Sequence, residues 1–141
     1  MELNKLIELS AINARDKLFD MCREIKSLEE AFRVSFLKWL YVDYCERRNK
    51  LTTTIEYDIA KSSETCGLCV WDDILLEIHN LEGEEHWCKF CPIGRDSKKD
   101  YCFKEFRLWV RGELPAIKVY ERIAKEYERL LKEGKITPFE L

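Results

Sequence analysis

Cys66 and Cys69, in "CGLC", and Cys88 and Cys91, in "CKFCP", form two Cys-x-x-Cys pairs with eighteen residues between them. A Cys-x-x-Cys turn presents two thiolates to one ion, and two such turns complete the tetrahedral shell that zinc prefers. The separation falls within the range of paired zinc knuckles. The expectation is one metal ion, zinc, held by Cys66, Cys69, Cys88 and Cys91. Two further donors lie close by: Cys102, eleven residues after Cys91, and His86, two residues before Cys88. Cys102 could take the place of one of the four, and the spacing leaves open whether Cys102 or His86 is a ligand.

Other uses of these cysteines rank lower. A 4Fe-4S cluster also takes four cysteines, and the Cys91-Pro92 step resembles the end of a ferredoxin cluster run. Ferredoxin spacing, however, packs three cysteines closely before that step, whereas here there are two distant pairs. A disulfide, for instance Cys66 to Cys91, does not explain why the cysteines come as tight pairs. A redox-active Cys-x-x-Cys normally opens a helix in a βαβ unit, and no such strands are expected. Cys22 and Cys45 fall on apolar helical stripes and read as small buried hydrophobes.

A structural zinc contributes roughly 10–16 kcal/mol of apparent binding energy in small fingers, comparable with the whole stability of a typical domain at about 5–15 kcal/mol. A four-cysteine shell has no open position for water and carries excess negative charge, so it makes a poor Lewis acid. The ion is therefore expected to be a clip. No Ser-His-Asp order, glycine-rich phosphate loop or His-x-x-x-His pair is present, and His79, among carboxylates on a helix, reads as solvated. The chain is expected not to be an enzyme.

Around the cysteines the charge is lopsided. Residues 72–86 carry six acidic side chains and no Lys or Arg, while residues 87–111 carry seven basic ones against three acidic. Lys89, Arg95, Lys98, Lys99 and Arg107, interleaved with Trp87, Phe90, Tyr101 and Trp109, could hold phosphates and stack bases as single-strand binders do. The net charge of −3 argues against a strong nucleic-acid binder. The preferred reading makes those aromatics the wall of a small metal site.

Hydrophobic residues make up 46% and charged residues 36% of 141, which excludes a disordered chain and suits one domain with its own core. No apolar run approaches the ~20 residues of a membrane span, and the first residues show no apolar signal core, so no membrane association and an intracellular, cytoplasmic location are expected. Glutamine is absent and Lys and Glu are abundant, a composition reported for hyperthermophile proteins.

Helices must position the cysteines. Leu3, Ile7, Ala11, Ala14, Leu18, Cys22 and Ile25 share one helical stripe, so one helix is expected over 3–25. "SLEE" from Ser27 is a capping box, opening a second, more buried helix to Arg47 that forms a hairpin with the first. "LTTTIEYDIA" reads as a short helix. "VWDDILLEIHNLEG" predicts a helix ending near Gly83 with Asp72 and Asp73 in its first turn. Phe103, Phe106, Trp109 and Val110 mark another, ended by Gly112. The last begins at Pro115, carries a stripe of Ile117, Tyr120, Ala124, Tyr127 and Leu131, and stops at Gly134. The expected fold is all-α: a helical hairpin plus C-terminal helices in a single domain, 1–141, with a four-cysteine metal-binding knuckle at 62–104 inserted between them.

The pattern "CGLC", "CKFCPIG" and a polar loop to "YC" before an aromatic-led helix resembles small uncharacterised cysteine-knuckle proteins of phages and archaeal viruses. The matching positions are Cys66, Cys69, Cys88, Cys91, Pro92 and Cys102, about a third of the chain. The resemblance implies a metal-binding knuckle in a viral protein acting in host cytoplasm, and no particular activity. The functional expectation is a non-enzymatic, zinc-stabilised module that binds a macromolecule, first another protein. A nucleic-acid-binding regulator using 87–111 and an iron–sulfur redox or sensing protein are the alternatives.

Overall fold

In a computed structural model, residues 2–48, 65–94 and 102–139 are described. The architecture is all-α, with helices α1 (Glu2–Ile7), α2 (Ala11–Arg23), α3 (Leu28–Arg47), α4 (Gly67–Ile78), α5 (Lys104–Val110) and α6 (Ala116–Lys132) among the described residues. A single 3-10 turn, Glu84–His86, interrupts the stretch after α4. The helix expected over residues 51–60 lies outside the described residues.

The first expected helix is two. Its apolar stripe runs unbroken across residues 8–10, but Ser10 leaves the helix and its hydroxyl accepts the Asn13 N–H, making a new N-cap. Serine competes for backbone hydrogen bonds in this way wherever the chain can turn. Ser27 caps α3 as expected by accepting the Glu30 N–H at 3.1 Å. The reciprocal bond is shifted by one residue: the Glu30 carboxylate takes the Lys26 N–H.

α3 is the hub, in contact with α1, α2, α4 and α6. Its buried residues include Phe32, Phe36, Leu37, Trp39 and Val42, with Cys45 at its end. Phe36 meets Tyr127 edge-on at 5.3 Å and Tyr120 at 5.3 Å, and Trp39 meets Trp109 edge-on at 5.1 Å. Such tilted pairs add to plain area burial. Cys22 and Cys45 are buried in the same core, as expected.

The last helix is turned by about one residue from the expected stripe. Ala116, Val119, Ile123, Glu126 and Leu130 are buried, while Tyr120, Ala124, Tyr127 and Leu131 pack at the edge of the core. Pro115 brings no side-chain cap. Glu46 of α3 supplies one instead, accepting the Ala116 N–H at 2.9 Å and the Trp109 indole N–H at 2.8 Å. That carboxylate ties α3, α5 and α6 together. Gly134, at φ 68°, ends α6, and the Lys135 N–H returns to the Leu130 carbonyl. Val110 is 42% exposed and does not join the buried face of α5.

Candidate metal centre

α4 starts earlier than the apolar pattern indicates. It begins at Gly67, inside the first cysteine pair, so Cys66 occupies the N-cap position and Cys69 the first turn. Asp72 and Asp73 consequently lie in the second turn, not the first as expected. Gly67 makes this start possible. A Cβ there would stand 2.2 Å from the Ala31 carbonyl oxygen of α3, so only glycine lets the two helices approach this closely.

The floor of the centre is α3. Ser35, fully buried, accepts the Leu68 N–H at 3.1 Å, and its hydroxyl lies 4.0 Å from the Cys66 sulfur. One turn further along, Lys38 is 1% exposed and its ammonium lies 5.4 Å from the Trp39 ring. Neither residue stands out in the sequence, because a stripe is read from apolar positions and these are polar.

The second pair is held by Asp72. Its carboxylate accepts the Cys88 N–H at 2.8 Å and the Phe90 N–H at 2.6 Å. The Cys91 N–H closes the turn onto the Cys88 carbonyl. Cys88 and Cys102 each adopt a left-handed backbone with φ 65°, a conformation that L residues other than Asn and Asp rarely take. The Arg107 guanidinium donates to the Cys102 carbonyl at 2.8 Å.

The thiols share one electrostatic neighbourhood. Cys66 is held below the ordinary thiol range, first by a hydrogen bond from the Cys69 thiol and then by the Lys38 charge and the Ser35 hydroxyl. Cys69 is correspondingly pushed well up by donating to Cys66 and by burial. Burial pushes Cys91 up to about 12 and raises Cys102 further, and the charges of Cys66 and Cys88 act on both. Lys38 is lowered by desolvation, opposed by the charges of Cys66, Cys69, Cys22 and Cys102. The arrangement is an ionised Cys66 at a helix N-terminus, with Cys69, Cys91 and Cys102 held protonated around it. A helix N-terminus favours such a thiolate.

All seven cysteines are free thiols. Among the described residues, no three Cys, His, Asp or Glu side chains converge as a ready-formed metal shell. The donor chemistry suits a soft divalent ion, while the sulfurs as they stand are gathered without being closed on one point.

His86 ends the 3-10 turn, half-buried, with Nε2 3.7 Å from the Glu85 carboxylate. His79 caps the C-terminus of α4 and stacks on Phe90 at 5.1 Å. Of the basic residues considered for nucleic acid, Lys89 is exposed beside the Phe90 ring, and Arg107 is engaged at Cys102. Arg95, Lys98 and Lys99 lie outside the described residues. Phe103, Phe106 and Trp109 belong to the main core, whereas Trp87 is 48% exposed. No described helix is long and apolar enough to cross a membrane. Comparison with protein families, with curated proteins and with solved structures finds no match for this chain.

Proposed function

We propose that the protein is a non-enzymatic helical protein stabilised by one zinc ion, and that it works by binding another protein. The observation behind the metal reading is the thiol neighbourhood itself: Cys66 acts electrostatically on Cys69, Cys91 and Cys102, and Cys88 acts on the last two. In this reading Cys66, Cys69, Cys88 and Cys91 hold the ion, with Cys102 as the substitute for one of them. A closed thiolate shell joins two stretches of chain and leaves no position for a reacting water.

The sparse core beneath it supports the same reading. Among residues 65–94 the buried apolar side chains are Leu68 and Leu76. Burial on that scale does not offset backbone ordering at about 1–2 kcal/mol per residue. A cross-link supplies what packing does not.

The surface of this segment supports a protein partner. Ile78 is 65% and Trp87 48% exposed, next to exposed Glu77, Glu82, Glu84 and Glu85. Apolar groups rimmed by one sign of charge match a partner with apolar and basic groups.

The test is elemental analysis together with an absorption spectrum of untagged protein purified without oxygen. One zinc per chain and a colourless solution support the clip. Iron with sulfide and a broad visible band replace it with an iron–sulfur protein. Metal-free protein of native fold removes the metal reading. For the partner, a photoreactive residue at position 87 should give an adduct with a defined protein that Ile78→Glu abolishes.

A further inference from the structure

The buried lysine on α3 sits where a thiolate centre needs a cation. Lys38 is 1% exposed, so its ammonium does not reach water by extending along the surface. It lies one helical turn from Ser35, whose hydroxyl is in contact with both Leu68 N–H and the Cys66 sulfur. Its charge acts on Cys66 and Cys69 from the first pair, on Cys102 before α5, and on Cys22 from α2. The Trp39 ring, 5.4 Å from the ammonium, offers a weak second stabilisation.

Burying an ammonium is costly unless an anion compensates it. Four thiolates around a divalent cation carry two excess negative charges, which are costly in the same interior for the same reason. Each cost is relieved by the other group.

We infer that Lys38 is the built-in counter-ion of the cysteine centre, a positioning residue on α3 that halves the excess charge of a four-thiolate zinc site. The inference rests on the metal reading above and adds which residue outside the shell sets its affinity. Lys38 binds no metal itself. It stands behind the Cys66–Cys69 pair and favours their ionised, metal-ready form over the protonated one.

The experiment compares wild type, Lys38→Met and Lys38→Arg. Zinc affinity is measured by competition with a chromophoric chelator, and the stability of each metal-free protein by urea unfolding. Removing a residue that supports metal ligands typically lowers affinity about 10–100-fold, and Lys38→Met is expected in that range. Metal-free Lys38→Met should be at least as stable as metal-free wild type, because a buried charge has been replaced by an apolar chain of similar length. Lys38→Arg should retain more affinity than Lys38→Met. These opposite signs separate charge compensation from simple packing, which would weaken both states together.

Unchanged zinc affinity in Lys38→Met overturns the inference. So does equal loss in the Met and Arg variants, and so does a metal-free Lys38→Met chain that no longer folds. A wild-type protein that binds no metal defeats the reading underneath instead. The two failures are therefore distinguishable.

Discussion

Between α3 and α6, Phe32, Phe36, Tyr120 and Tyr127 bring ring centroids within 5.3–5.6 Å of one another, over a floor of buried Val119, Ile123 and Leu130. Across residues 65–94 the corresponding inventory of buried apolar groups is Leu68 and Leu76, and Leu68 alone belongs to the main core. What holds that segment is a short set of directed contacts: Asp72 to two backbone amides, Ser35 to a third, and the close approach at Gly67. Apolar burial is distributed and tolerant, so many residues share the stabilisation of the helical core. Directed contacts are few and individually costly to lose. The chain thus combines a region that keeps its shape by bulk with one that keeps it by a handful of specific bonds and, as proposed, an ion.

Metal removal should separate the two regions most. A chelator is expected to withdraw roughly 10–16 kcal/mol of apparent binding energy, and amide exchange in residues 66–94 should accelerate while α3 and α6 remain protected. Equal loss of protection in both regions would mean that they form one cooperative unit. The converse cut is Phe36→Ala, in the ring cluster. It should cost about 3–5 kcal/mol of global stability, read by urea unfolding, with metal content per folded molecule unchanged.

Asp72→Ala sharpens the contrast from the cysteine side. It strands the Cys88 and Phe90 N–H groups, each worth about 1–3 kcal/mol when buried without a partner. Metal dissociation should quicken while the unfolding midpoint of the helical core stays near wild type. Gly67→Ala inserts a methyl against backbone, and overpacking of this kind typically costs about 1–3 kcal/mol. It should lower the thermal midpoint and shift tryptophan fluorescence, since α3 and α4 must part.

The smallest effect concerns pH in the metal-free protein. Burial pushes the Cys22 thiol from the ordinary 9.0 up to about 12. The unfolded chain therefore ionises first, binds fewer protons than the folded one, and gains relative stability as pH rises. Stability from this group is complete below about pH 9 and declines between that value and about 12. Cys22→Ala should flatten that decline, and an identical pH profile in the variant would assign it to other thiols.

The helical core is readable in the sequence because long amphipathic helices repeat their apolar period often enough to be seen. Ser27 and Gly134 mark real ends, and α3 is recognisable as the most buried element. The break at Ser10 is hidden because Ile7 and Ala11 continue the stripe on either side of it. The stripe of α6 reads one residue off because its tyrosines, which are large, sit at the edge of the core rather than in it.

Around the cysteines the pattern reveals the donors and little of their support. α4 begins at Gly67 because of a contact with α3 that no local signal announces. Asp72 acquires its role only when the amides of Cys88 and Phe90 fold back over it. Ser35 and Lys38 are single polar residues in an apolar helix, which is the one trace that could draw attention to them. A buried polar position on an otherwise apolar face is worth testing as the support of a distant site.

The missing side chain at position 67 also bears on how portable the cysteine segment is. Its first helix is shaped to a groove on α3, with Ser35 completing a bond that the segment cannot make for itself. A peptide spanning residues 62–104 alone would lack that complementary surface. Transplanted into another scaffold, it would need a host helix offering an unobstructed carbonyl and a serine at matching positions. The unit that evolution or an engineer could move as one piece therefore extends back to include α3.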